Sequence, residues 1–134
     1  MKKSINLLRI TGMLCLFFAA SHAVFEKVFN WEQSLSTLTQ TDRAIFFTYH
    51  YELILLLLFM SALLLIKPAE LLTSPLRYFI LGMFALFFLI RIIMEFTLFG
   101  LTAKESIIIV AFCLAPIVLF IMALFNKNKK YESS

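Results

Sequence analysis

Residues 44–66 read AIFFTYHYELILLLLFMSALLLI, and from Leu53 to Ile66 no charge interrupts the run. Its length is close to the ~20 residues an α-helix needs to cross ~30 Å of hydrocarbon. Lipid offers backbone N–H and C=O groups no partner of its own, so such a stretch satisfies them internally and is predicted to be a helix.

Three further stretches repeat the pattern. One runs from Ile5 to Phe25, broken only by Arg9 near its start. Another runs from Tyr78 to Phe99 and is interrupted by Arg91 and Glu95; the last, Ile107 to Phe125, carries no charge. Composition agrees: 62% of the 134 residues are hydrophobic, sixteen of them Phe, and the mean hydropathy is +0.94. A water-soluble domain of this size cannot hide that much apolar surface. The chain is therefore predicted to be a single integral membrane domain over residues 1–134, an all-α four-helix transmembrane bundle. Thr41 and Asp42 offer N-capping oxygens before the second helix. Lys67-Pro68 closes that helix, Ser74-Pro75 opens the third, and Pro116 is expected to kink the fourth.

Orientation follows from Lys and Arg. Lys2, Lys3, Arg9, Lys67, Arg77, Lys127, Lys129 and Lys130 fall on one side; Lys27, Arg43 and Lys104 fall on the other. Eight against three places both termini and the middle connection in the cytoplasm by the positive-inside rule. The same distribution accounts for the formal charge of +4 without a nucleic-acid-binding stripe, so nucleic acid is not expected as a partner. The N-terminus has a second reading. Lys2-Lys3, an apolar run and Ala20-Ser21-His22-Ala23 resemble a signal peptide, whose cleavage would leave three helices. Against this, the apolar stretch continues past Ala23 and Arg9 interrupts its core.

The first external loop, Glu26 to Arg43, repeats Val28, Trp31, Leu35 and Leu38 at helical spacing, and Asn30 with Gln33 offers an imperfect capping box. A short interfacial helix is predicted there, with Trp31 at headgroup level. It is either a plain amphipathic connector or a lid over the outer end of the bundle.

Ionisable groups inside a membrane are costly and mark functional sites by default. Here they are His22, His50, Glu52, Arg91 and Glu95. At ~1.5 Å rise per residue, Glu52 and Arg91 both lie roughly 12 Å deep, with the other three shallower. All fall in the outer half of the bilayer. Arg91 and Glu95, four residues apart, share a helix face, and the matched depths predict a Glu52–Arg91 pair with Glu95 as a second carboxylate. His22 and Glu26 are likewise four apart. His50 and Glu52, two apart, point to different faces. Such a cluster either fixes helix order or forms a ligand-binding pocket; alternatively, Arg91 snorkels outward and uses Glu95 alone. A metal site from His22, His50 and a carboxylate has no recognised ligand spacing, so no metal is expected. No motif implies a cofactor. Cys15 and Cys113 lack paired spacing and read as small apolar core residues.

The run Phe25, Trp31, Leu35, Leu38 and Arg43-Ala44-Ile45, followed by Leu76-Arg77, Gly82 and Arg91, resembles small bacterial four-helix membrane proteins of DoxX-like layout. The resemblance implies a four-helix bundle in a bacterial inner membrane and transfers no active site.

Three functions compete. The leading one is a non-enzymatic accessory or ligand-binding membrane subunit, in which Ala19, Ala23, Gly82 and Ala85 offer close-approach surfaces for helix packing or oligomerisation. The second is a membrane enzyme on a lipid-like substrate, similar to four-helix sterol-isomerase-like proteins, with Glu52, Glu95 and His50 as acid/base groups. The third is a small multidrug-type transporter, although those proteins carry a carboxylate deep in the first helix and this chain has none there.

Overall fold

The computed structural model describes residues 1–99 and 104–125. They form α1 (Lys2–Val28), α2 (Trp31–Ser34), α3 (Gln40–Ile66), α4 (Pro68–Thr73), α5 (Arg77–Met94) and α6 (Lys104–Phe125), with a π-helical turn over Glu95–Phe99 extending α5. Among the described residues there is no strand. The basic tail with Lys127, Lys129 and Lys130 lies outside them.

Four helices, α1, α3, α5 and α6, are long and apolar enough to cross a membrane. Only 22–28% of the residues in their apolar windows are buried inside the bundle. The remainder, Phe17, Leu55 and Phe79 among them, project outward. A surface this apolar on every side is unsustainable in water and natural in lipid. The fold is the predicted all-α four-helix transmembrane bundle.

Helix α1 is the hub. It packs along α3 on one side and α6 on the other; α5 packs on α6, while α3 and α5 share little direct contact. The closest approach is at Gly12, where a Cβ would stand 2.9 Å from Leu65 Cγ and 3.1 Å from Leu64 Cβ. Sequence reasoning named other small residues for this purpose. Ala19 is indeed buried, but Ala23 is exposed and Gly82 faces open space. Cys15 and Cys113 are both buried and unbridged.

Helix boundaries shift for identifiable reasons. The cap of α3 is Thr39 rather than Thr41 or Asp42: its hydroxyl oxygen accepts from the Asp42 N–H at 3.1 Å and its O–H donates to Asp42 Oδ2 at 2.7 Å. That reciprocal pair starts the helix at Gln40. The connection after Ile66 holds a short helix the sequence reading missed, with Pro68 in its first turn, a 2.6 Å Lys67–Glu70 ion pair, and Pro68 and Leu71 buried. Pro116 sits within α6, fully buried.

Candidate functional site

At the end of the bundle where α1 hands over to α3, α1 stops at Val28 and the chain turns through Asn30, whose φ of 46° and ψ of 53° are left-handed. Asn tolerates that region because its short polar side chain bonds locally; here Asn30 Nδ2 donates to Gln33 Oε1 at 2.7 Å. The expected capping box does not form, since no side chain caps α2. The loop does hold the short helix expected of it: α2 is a single turn of four residues. With the helix so short, Val28 stays exposed on α1 and shares no continuous face with Trp31. Trp31 instead turns inward. Its ring meets Phe46 edge-on at 4.8 Å and His50 edge-on at 4.6 Å. Arg43 Nη2 donates to the Leu35 carbonyl at 3.2 Å and ties the loop to the start of α3.

Beneath Trp31 the two histidines come together. The His22 and His50 rings stand 5.7 Å apart. His50 is 7% exposed, enclosed by His22, Trp31 and Tyr51. His22 packs against Phe25 at 4.7 Å, and its Nδ1 is buried without a hydrogen-bond partner. Glu26, one turn on from His22, accepts from the Tyr51 hydroxyl at 3.3 Å and so links α1 to α3. Among the described residues no group of three His, Cys, Asp or Glu is placed to hold a metal.

On the opposite side, Arg91 Nη1 donates to Glu95 Oε2 at 2.5 Å. Their spacing of four residues brings them one above the other on α5, and Glu95 begins the π-helical turn. Such turns insert one residue into the ladder and recur at functional sites. The Glu95 carboxylate is 3% exposed against 37% for the Arg91 side chain, and it also accepts a hydrogen bond from buried Ser106 of α6. The expected Glu52–Arg91 pair is not among the ion pairs of the described residues. Glu52 is exposed, because its helix turns His50, Leu57 and Leu64 toward α1 and two residues of rotation carry Glu52 to the outside. Depth alone does not make a pair; helix azimuth decides which side chains meet. Glu52 leaves the cluster, while Ser106 joins it, a residue that a depth argument on α6 would also have found.

Between the histidines and the ion pair lies a cavity of about 240 Å³. All four long helices line it. Leu53 and Leu57 come from α3, Phe87, Phe88 and Arg91 from α5, and Ile109, Phe112 and Cys113 from α6, facing Phe18, Ser21 and His22 of α1. Its wall is predominantly phenyl and aliphatic, with Ser21, His22, Arg91 and Cys113 as its polar groups. Ser21 spends its hydroxyl proton on the Phe17 carbonyl at 2.9 Å. Phe17 and Phe112 also line the cavity, are themselves exposed on the bundle surface, and stack at 6.3 Å. The cavity therefore reaches the lipid-facing surface at the seam of α1 and α6. Of the residues singled out from sequence, His22 and Arg91 line it, whereas His50, Glu52 and Glu95 do not.

Comparison with family models, curated proteins and solved structures found no match.

Proposed function

We propose that this chain is a small non-enzymatic membrane protein that binds an amphiphile in the cavity among its four long helices. One observation carries the reading: the cavity wall is phenyl and aliphatic, includes Arg91, and has no carboxylate among the described residues. Pockets of this kind take the apolar body of a ligand by burial and orient it with a few polar groups. A guanidinium selects a carboxylate, phosphate or comparable acceptor. The exposed Phe17 and Phe112 give a lipid-like molecule an entry from the acyl-chain region without passage through water.

The acid/base alternative loses the three groups expected to carry it. Glu52 faces outward, Glu95 is committed to Arg91 and Ser106, and His50 is covered by Trp31. General acid/base work needs a group within hydrogen-bond reach of substrate, and none of these three lines the cavity.

In this reading the protein sits in a bacterial inner membrane with both termini cytoplasmic, supported by the eight-to-three distribution of Lys and Arg across the four spans. The cavity then opens in the outer half of the bilayer. It is tested by native mass spectrometry of protein extracted from bacterial membranes. A retained anionic amphiphile, lost in Ser21→Phe where a phenyl ring fills the cavity, is the expected result. Retention of the same lipids at the same occupancy by Ser21→Phe overturns it.

A further inference from the structure

We infer that the outward face of α3 around Glu52 is an interface for a transmembrane helix of another protein, one carrying Lys or Arg in the same half of the bilayer. Glu52 is the thirteenth residue of α3 counted from Gln40, so it lies roughly 18 Å along the helix from that end. It is exposed and takes part in no ion pair among the described residues. Tyr49, Leu56 and Phe59 stand at three- and four-residue intervals around it and are 68%, 40% and 59% exposed. Residues so spaced form one stripe. The outcome is a single carboxylate in the middle of an apolar, lipid-facing stripe.

A carboxylate held there against acyl chains is disfavoured. A neighbouring helix that supplies a cation removes that cost and adds a charge-assisted hydrogen bond. Charge complementarity decides which neighbour. A second copy meeting this one face to face brings another Glu52, a like charge. A second copy meeting it heterologously offers Arg91, which is engaged by Glu95 at 2.5 Å. Arg91 is the one Lys or Arg that the sequence places within the outer half of the spans, and it lines the cavity among this chain's own helices, so a different membrane protein is the neighbour that brings a cation to this stripe.

The inference is independent of the cavity, because Glu52 does not line it. To test it, the full chain is labelled with a donor fluorophore and reconstituted in phosphatidylcholine vesicles. Two synthetic Leu-Ala helices of about 20 residues carry the acceptor; one has a single Arg at the depth of Glu52 and the other has Leu there. The Arg helix should associate about tenfold more tightly, toward the upper end for hydrogen bonds between membrane helices, and Glu52→Ala should abolish the difference. Thermal unfolding of Glu52→Ala should match the parent, since the side chain supports nothing within the bundle. Equal association of the two helices overturns the inference. So does a preference that survives Glu52→Ala, self-association of the parent chain that Glu52→Ala removes, or loss of fold in that variant.

Discussion

Arg91 and Glu95 are joined across one helical turn at 2.5 Å, with the acid nearly sealed from the surface and the base 37% exposed along its side chain. The asymmetry divides their roles. Glu95, held also by Ser106, anchors the junction of α5 and α6. Arg91 lines the cavity.

Removing the anchor should therefore cost stability. Breaking a buried pair costs ~3–5 kcal/mol when both partners are sealed. Because Arg91 is partly exposed and can reorient toward a polar boundary, we expect about 2 kcal/mol for Glu95→Ala. Glu95→Gln keeps an oxygen for Ser106 and should lose roughly half as much. Reversible denaturation in detergent micelles reads both values.

Gly12 and Gly82 should behave oppositely. Gly12→Val places methyl groups where even a Cβ stands 2.9 Å from Leu65, so α1 and α3 must separate at a cost of about 1–3 kcal/mol. Gly82→Ala enters open space and should raise stability by up to about 1 kcal/mol through helix propensity. A lower unfolding temperature for Gly82→Ala than for Gly12→Val contradicts the packing described.

Trp31 should shield His50. In the parent protein its indole covers the imidazole at 4.6 Å. Trp31→Ala should expose the ring and speed its modification by diethyl pyrocarbonate severalfold, while Trp31→Phe preserves most of the cover. Peptide mapping of the modified histidines distinguishes His50 from His22.

Helix α1 should remain in the folded protein. It contributes Leu8, Cys15 and Ala19 to the core, and both α3 and α6 pack against it. Cleavage after Ala23 would strip α3 and α6 of that shared surface. The intact mass of membrane-extracted protein is expected to include residues 1–23; a mass lacking them contradicts the hub arrangement.

Span positions were legible because lipid fixes both length and apolarity, and neither depends on which neighbour a helix finds. The Arg91–Glu95 pair was legible for a related reason: a spacing of four places two side chains together whatever the tertiary fold. Glu52 was misread because depth is a one-dimensional quantity, and pairing also needs the rotation of α3, set by the contacts of Leu57 and Leu64 with the core. The short helix at Trp31 was legible from its spacing, but its length was not: the periodic pattern from Val28 to Leu38 continues past the single turn that the chain adopts, and the packing of Trp31 on Phe46 and His50 depends on a neighbouring helix. Gly12 carried no signal distinguishing it from Gly82 in sequence. Only the crossing of α1 with α3 selects it.

The central claim is that the cavity holds an amphiphile by its acidic or acceptor head at Arg91. Fluorescence titration of purified protein with a polyene carboxylic acid measures this directly, alongside the primary amine of equal chain length. We expect the acid to bind at least about tenfold more tightly, a difference of ~1.4 kcal/mol, with Arg91→Lys retaining most of the preference and Arg91→Gln losing it. Equal affinity for acid and amine, or an unchanged preference in folded Arg91→Gln, contradicts the account.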